Sequence, residues 1–182
     1  MNAQRPRNIS LIAAGLLLLA SHTAGAELQF GPSCMIQSTP FYQRLLAAGV
    51  FGIAPERVAA PRPVQLLFRV ARGLRYSADR SKTDNWQTAE ETTNNYGGDC
   101  EDKAIWLYTK MRQNGYRDVS LHIGKYAPSS KKFHMWVTYV DENGRTLLLD
   151  PTIQIRPWEV EKFPPQNYQS RHILTGDDCI SL

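Results

Sequence analysis

A chain of 182 residues, of which 42% are hydrophobic and 21% charged, is long enough to build one folded domain. Its formal net charge of +4 falls to +2 if residues 1–26 are removed, because that segment holds Arg5 and Arg7 and no acid. So small a surplus is not typical of proteins that bind nucleic acid or membrane surfaces, and we expect no nucleic-acid partner.

The first 26 residues have the features of a secretory signal peptide. Arg5 and Arg7 give a basic start, residues 9–20 are mostly apolar but short for a bilayer, and residues 24–26 are the small residues Ala-Gly-Ala. We expect cleavage after Ala26 and a periplasmic or secreted domain over residues 27–182; a retained N-terminal anchor is the alternative. No second long apolar run follows, so we do not expect the mature protein to span a membrane.

Three cysteines remain in the mature chain, at positions 34, 100 and 179. An odd number in a secreted protein leaves one thiol unpaired. Cys34 and Cys179 lie near opposite ends of the chain, and chain termini often lie close together. We therefore predict a disulfide between Cys34 and Cys179, with Cys100 unpaired; in the alternative, both terminal cysteines are reduced and exposed.

The first half of the mature chain favours helices. Residues 40–48 fit a short helix with Thr39 as its cap and Gly49 as its stop, and the proline-containing segment 51–63 is predicted to be a loop. The polar segment 76–96 is also predicted to be a loop, in which Trp86 either anchors the loop to the core or faces a functional site. Between these loops a second helix begins at Val64, with apolar residues at helical spacing: Leu67, Val70, Ala71 and Leu74.

A third helix has the clearest pattern. Asp99 fits its N-cap, acids at 101 and 102 suit the positive end of the helix dipole, and Gly115 fits its stop. Capping and solvation alone can account for these acids. The helix begins at Cys100, and its apolar residues follow the i, i+3, i+4, i+7 pattern: Ala104, Leu107, Tyr108 and Met111.

Strands follow this helix. Residues 119–123, 133–140 and 146–150 fit strands, the first two by clear alternation, with a hairpin turn at residues 142–144 between the last two. The C-terminal stretch after Pro151 is irregular in pattern. Helices followed by an antiparallel meander predict an α+β fold.

Cys100, His134 and Asp150 are the candidate catalytic residues. Gly97 and Gly98 deliver Cys100 to a helix N-terminus, where thiols ionise more easily, although the acids around it act in the opposite direction. Cysteine, histidine and aspartate in this order fit a thiol nucleophile, its base and the residue that orients the base.

The turn between the last two strands decides whether His134 and Asp150 can meet. A two-residue loop at 143–144 would place them on opposite faces of the sheet. A three-residue loop that includes Glu142 sets Asp150 opposite Trp136, on the face of His134. The triad therefore requires the three-residue loop or a bulge.

The remaining histidines of the domain are weaker candidates. His122 is on a different strand with no acid placed beside it, and His172 lies in the irregular C-terminal stretch without a partner pattern.

Five short motifs carry a resemblance to a known family. They are Leu-Arg-Tyr-Ser-Ala-Asp at 74–79, Trp-Gln-Thr-Ala-Glu at 86–90, Gly-Asp-Cys-Glu-Asp-Lys-Ala at 98–104, His-Met-Trp-Val at 134–137 and Leu-Asp-Pro-Thr at 149–152. Over most of residues 64–152 the chain resembles the bacterial transglutaminase-like cysteine proteinases. The resemblance implies a papain-like core in which the nucleophile, at a helix N-terminus, packs on an antiparallel sheet.

The same resemblance implies a catalytic role for four residues. Cys100 attacks an amide carbonyl, His134 transfers the proton, Asp150 holds the imidazole, and Trp86 contributes to the oxyanion site. Two alternatives remain open. One is a transglutaminase or amidase that uses the same triad but differs in its acyl acceptor, and the other is a non-catalytic binding module that keeps the fold.

Cofactor and partners also follow from the resemblance. Asp99, Glu101 and Asp102 match the acids beside the nucleophile with which such enzymes bind calcium, a cation that prefers oxygen ligands. Such enzymes are periplasmic proteases that cut a surface adhesin. The resemblance therefore implies an adhesin as substrate and a membrane-bound regulatory protein as a second partner. The sequence thus predicts a periplasmic cysteine peptidase with a protein substrate.

Overall fold

The computed structural model describes residues 40–55, 57–79, 84–162, 166–176 and 178–182. The predicted signal peptide, the domain start at residue 27, Cys34 and the cap at Thr39 lie outside the described residues. The helices are α1 (Pro40–Ala47), α2 (Val64–Gly73), α3 (Ala89–Asn94) and α4 (Cys100–Gln113). The strands are β1 (Arg75–Tyr76), β2 (Gly97–Gly98), β3 (Val119–Lys125), β4 (His134–Val140), β5 (Thr146–Leu149), β6 (Trp158–Glu159), β7 (Gln169–Thr175) and β8 (Asp178–Ser181).

Helix α4 forms the centre of the core. Its predicted apolar face is fully buried, and Ile105 and Trp106 on its other sides are buried as well. The helix is covered all round because it packs on β3 and β4 on one side and on α2 and α3 on the other. The indole N–H of Trp106 donates to Thr93 Oγ1 at 2.9 Å and ties α4 to α3.

The main sheet has the strand order β6-β5-β4-β3-β7-β8 within the described residues, and every neighbouring pair is antiparallel. The alternation predicted for β3 and β4 is present, because the apolar positions Leu121, Ile123, Met135 and Val137 belong to the core around α4. The predicted α+β class is confirmed. No helix in the described part of the chain is long and apolar enough to cross a membrane.

The C-terminal stretch differs from the sequence prediction. Instead of being irregular, it forms the hairpin β7–β8, with Gly176 in the left-handed conformation at its turn, and β7 pairs with β3. Among the described residues of this hairpin only Leu174 and Cys179 are buried, so its alternation is weak in the sequence. Strand pairing with a distant part of the chain stabilises it where local pattern does not.

Two smaller differences concern the helical half. Val70 is 43% exposed, and the buried face of α2 is formed by Val64, Leu67, Phe68 and Ala71. The segment 76–96 contains helix α3, which begins at a capping box: Thr88 Oγ1 accepts from the N–H of Glu91, and Glu91 accepts from the N–H of Thr88.

Candidate active site

Two very short parallel strands present Cys100. Strand β1 pairs with β2 so that Arg75 lies opposite Gly97 and Tyr76 opposite Gly98. A Cβ atom at Gly97 would overlap the backbone carbonyl of Arg75, so the close approach of the strands requires glycine there. Because β2 ends one residue before the N-cap of α4, this pairing fixes Cys100 at the first position of the helix.

Asp102 holds the start of α4 in place. Its carboxylate accepts hydrogen bonds from the N–H of Asp99 at 3.2 Å, the N–H of Gln87 at 2.8 Å and Gln87 Nε2 at 2.6 Å. The side chain is only 1% exposed. Asp102 therefore fastens the loop that carries Trp86 to the helix that carries Cys100, and its oxygens are already engaged.

The β4–β5 hairpin brings His134 and Asp150 together. The N–H of Asp141 donates to the carbonyl of Arg145, Gly144 has a φ of 74°, and Val137 lies opposite Leu149, so the turn is the three-residue loop. His134 Nε2 lies 2.6 Å from Asp150 Oδ2. The strand register thus places His134 and Asp150 on the same face of the sheet, as the triad requires.

Asp150 is a buried and well-anchored carboxylate. It is fully inaccessible to solvent, and Oδ1 accepts the N–H groups of Thr152 at 2.9 Å and Ile153 at 3.1 Å. With Oδ2 facing Nε2 of His134, that nitrogen carries the hydrogen. The Nδ1 atom of His134 is then the ring nitrogen left to accept a proton.

Cys100 and His134 line one cleft of about 500 Å³. Trp86 lines it too, although only 7% of this residue is exposed, and within the described residues its indole N–H has no hydrogen-bond partner. Both predicted settings for Trp86 are therefore present, since it is part of the core and it also borders the cleft. Phe41 and Arg44 of α1 pack against it, with the guanidinium 5.6 Å from the ring centroid.

The surroundings of Cys100 favour the protonated thiol. Sγ donates to Glu101 Oε2 at 2.7 Å. Burial, then the charge and hydrogen bond of Glu101 and the charge of Asp99, raise the pKa of Cys100 well above its ordinary value, while the backbone N–H of Met135 acts in the opposite direction. The acids thus oppose ionisation of the thiol, as their positions in the sequence predicted.

The acids themselves are crowded. Burial, then the charge of Asp102, raises the pKa of Asp99 to about 6. Burial and the hydrogen bond with Asp84 raise the pKa of Glu101 to about 9. Carboxyl groups that share a site resist ionisation in this way unless a cation joins them.

The acids that could hold a metal differ from the predicted set. Among the described residues, one carboxylate oxygen each from Asp79, Asp84 and Asp99 lies within 4.8 Å of the other two. Of the predicted ligands Asp99, Glu101 and Asp102, only Asp99 belongs to this group; Glu101 lies beside it, and Asp102 is engaged in capping. Asp79 and Asp84 were missed because they lie in a loop, 15 or more residues before Asp99, where spacing carries no information about contact.

The other two histidines of the described residues, His122 and His172, do not line the cleft. His122 is held between Ser170 Oγ at 2.9 Å and Thr138 Oγ1 at 2.8 Å, and burial lowers its pKa to about 4. The Nδ1 atom of His172 contacts Ser181 Oγ at 3.0 Å. Neither has an acid beside it in these contacts.

Sequence reasoning also missed Tyr168, whose hydroxyl donates to Asp150 Oδ2 at 2.9 Å. It lies in the stretch that was predicted to be irregular, and no motif marks it.

The α+β fold places a cysteine at the start of a buried helix, a histidine on a neighbouring strand and an aspartate at the end of the next strand, which is consistent with a papain-like core. Neither a family model nor a curated protein matches the sequence. The chain is similar in structure to calcium-bound LapG of Legionella pneumophila, with 19% identity, a TM-score of 0.53 and coverage of 76% of this chain and 78% of that chain. For EGTA-treated LapG the identity is 17%, the TM-score 0.55 and the coverage 77% and 76%. This likeness shows that the chain has the LapG fold, as the motifs predicted.

Proposed function

We propose that the chain is a cysteine peptidase whose triad is Cys100, His134 and Asp150. The observation that carries the proposal is the 2.6 Å contact between His134 Nε2 and Asp150 Oδ2, made by a histidine that lines the same cleft as Cys100. The fold that the chain shares with LapG supports the same conclusion. A histidine so oriented is the usual partner of an activated thiol.

The reaction proceeds through a thioester. The thiol proton passes to Nδ1 of His134, the sulfur of Cys100 forms a bond to the scissile carbonyl carbon, and the C–N bond breaks as His134 returns the proton to the leaving amine. Water then gives a proton to His134 and attacks the thioester, which releases the carboxylic acid and restores the thiol. Asp150 keeps the hydrogen of the imidazole on Nε2 throughout.

Trp86 supplies a donor for the developing oxyanion. Its N–H is buried at the cleft without a partner in the described part of the chain, and such a donor gains most when a charged oxygen arrives. The expected loss for a single oxyanion donor is about 10²–10³-fold in kcat. Trp86→Phe, which keeps the ring and removes the N–H, should lower kcat by about this factor and leave the KM nearly unchanged.

A calcium ion fits the acid cluster. Oxygen atoms bound to one calcium ion lie at most about 5 Å apart, because each is about 2.3–2.6 Å from the ion, and the three carboxylates of Asp79, Asp84 and Asp99 meet this limit. Within the described residues Asp99 Oδ1 is also buried without a hydrogen-bond partner. Burial, and after it the charges of Glu101 and Asp99, raise the pKa of the Cys100 thiol; calcium, when bound, would offset those charges.

Calorimetry tests the calcium site. Asp84 is exposed, so Asp84→Asn should abolish calcium binding without unfolding the protein. Asp118→Asn, at an exposed acid outside the cleft, is the matched control and should bind calcium as the wild type does. Equal binding in wild type and Asp84→Asn would remove the cluster as the site. Magnesium should bind poorly, because it prefers a tighter octahedral shell and keeps its waters.

Location and substrate rest on the sequence. The signal-like residues 1–26 support export to the periplasm, and the motif resemblance supports a protein substrate such as a surface adhesin and control by a membrane-bound partner. Fractionation of cells that express the full chain tests the first point, since a cytoplasmic, uncleaved product would contradict export.

A peptide library tests the activity. The full chain is incubated with peptides from a bacterial proteome, with calcium or with EGTA, and the cleavage sites are mapped by mass spectrometry. Cys100→Ser and His134→Gln should cut nothing, whereas His172→Gln, a matched histidine outside the cleft, should cut as the wild type does. An added primary amine separates hydrolysis from amine transfer, because a transferase would give the amine adduct. No cleavage and no adduct under either condition would leave a non-catalytic module.

A further inference from the structure

The hydroxyl of Tyr168 donates to Asp150 Oδ2 at 2.9 Å, and this is the same oxygen that lies 2.6 Å from His134 Nε2. Tyr168 lies just before β7, so it reaches the His–Asp pair from a part of the chain that follows all three members of the proposed triad. Tyr168 is not among the residues that line the cleft, although its ring lies 6.5 Å, between centroids, from the imidazole of His134.

Tyr168 completes the hydrogen bonding of the Asp150 carboxylate. A carboxylate can accept about four hydrogen bonds. Oδ1 takes two, from the N–H groups of Thr152 and Ile153, and Oδ2 takes two, from His134 and Tyr168. A carboxylate with no solvent exposure is costly unless such donors surround it.

The hydroxyl of Tyr168 keeps its proton at neutral pH and so remains a hydrogen-bond donor. Burial, then the negative charge of Asp150, raises the pKa of Tyr168 well above its ordinary value. Tyr168 therefore stabilises the negative charge of Asp150 through a neutral O–H donor. Because this donor carries no charge of its own, Asp150 remains available to balance the charge of a protonated His134.

Aromatic contacts pin the phenol ring. Its centroid lies 5.2 Å from that of Tyr126 and 5.0 Å from that of Trp136, both in edge-to-face geometry. Trp136 in turn stacks on the imidazole of His134, with centroids 6.2 Å apart. Tyr126 also meets the imidazole edge to face, with centroids 6.1 Å apart. The phenol ring of Tyr168 and the imidazole of His134 thus share two aromatic neighbours, Tyr126 and Trp136.

We propose that Tyr168 is a positioning residue for the His134–Asp150 pair: its hydroxyl fixes Asp150 Oδ2 where His134 Nε2 needs it. This inference rests on the proposed function of that pair. It assigns Tyr168 no contact with the substrate, so the effect of its hydroxyl must pass through Asp150.

The test measures alkylation of Cys100 by iodoacetamide in the full chain, followed by mass spectrometry of the peptide that contains Cys100. Tyr168→Phe keeps the ring and removes the hydroxyl, and it should lower the rate constant about tenfold, the effect expected from one hydrogen bond to a charged group. Tyr126→Phe, in the same aromatic cluster, is the matched control and should react as the wild type does. An unchanged rate in Tyr168→Phe would overturn the proposal.

A double-mutant cycle separates positioning from general packing. In the Asp150→Asn background, adding Tyr168→Phe should change the rate by less than about twofold, because the two residues act as one unit. If the double variant instead shows the product of the two single-variant rate reductions, Tyr168 acts independently of Asp150, and the proposal is overturned.

Proton NMR tests the proposal even if Tyr168→Phe is less stable than the wild type, because it observes the His134–Asp150 hydrogen bond in the folded protein. The downfield proton resonance of the His134 Nε2–H group should move in Tyr168→Phe and stay in place in Tyr126→Phe; a resonance that does not move in Tyr168→Phe contradicts the proposal. The alkylation assay also separates this inference from the proposed function. Rapid alkylation that depends on His134 and Tyr168, with no peptide cleaved, would refute peptidase activity and leave the positioning role intact.

Discussion

Replacing His122 by glutamine should change how stability depends on pH. The imidazole is half-buried beside Trp136, with the two rings stacked at 11° and 5.6 Å between centroids. Both of its nitrogens are within hydrogen-bond distance of hydroxyl groups, those of Ser170 and Thr138, and no carboxylate is among these partners. The site therefore suits a neutral ring, and burial lowers the pKa of His122 to about 4.

The direction of the effect follows from proton linkage. In the unfolded chain the pKa of His122 returns to about 6.5, so as pH falls below that value the unfolded state takes up a proton that the folded state does not. Stability is lost progressively between about pH 6.5 and pH 4. By linkage the loss at pH 4.5, relative to pH 7.5, is about 2.5 kcal/mol from this residue.

Urea unfolding at pH 7.5, 6.0 and 4.5, followed by tryptophan fluorescence in the presence of a chelator, measures the effect. At pH 7.5 His122→Gln should be less stable than the wild type by about 1 kcal/mol, since it loses the ring stacking. This difference should disappear and then reverse as pH falls, because glutamine does not titrate. The other titrating groups, including the crowded acids at the cleft, contribute equally to the wild type and the variant, so their contributions cancel in the difference between the two. Stability curves for wild type and variant that run parallel from pH 7.5 to 4.5 would refute the reasoning.

Three further predictions concern the backbone, the triad and the disulfide. Gly97→Ala should lower the free energy of unfolding by about 2 kcal/mol or more and reduce Cys100 alkylation, because its Cβ overlaps the Arg75 carbonyl; urea titration checks the first effect, and wild-type stability would contradict it. Asp150→Asn should lower peptidase kcat about 10³–10⁴-fold while the fold persists, because an amide can leave the histidine in the wrong tautomer; activity within tenfold of wild type would argue against the triad. Oxidised protein should contain a Cys34–Cys179 bridge worth about 4–5 kcal/mol, and peptide mapping that finds both thiols reduced would exclude it.

The predictions that held depend on local pattern. Helix α4 was predicted correctly because two local signals agree: apolar residues at helical spacing mark its buried face, and Asp99 and Gly115 mark its two ends. The meeting of His134 and Asp150 followed from strand parity once the loop length was fixed, and a left-handed Gly144 is what a three-residue loop demands.

The features that were missed depend on contacts between distant segments. Helix α3 had a readable signal, the Thr88–Glu91 capping box, which was overlooked in a polar stretch. Strand β7 had no such signal, because its pairing with β3 and not its own pattern makes it a strand. The same holds for the acid cluster, since nothing in the spacing of Asp79 and Asp84 indicates that a loop will bring them to Asp99.

The pairing of β7 with β3 also sets an order for assembly. Ser120 lies opposite Thr175, so the centre of the sheet is closed by residues more than 50 positions apart. Contacts of such long range form slowly, because a large loop must close before they contribute. A ribosome would release the cysteine, histidine and aspartate motifs before the strand that brings Tyr168 to Asp150. We therefore expect a newly made chain to carry its complete set of reactive groups for a time without the last hydrogen bond that aligns them, and to gain full reactivity only when its C-terminal hairpin docks.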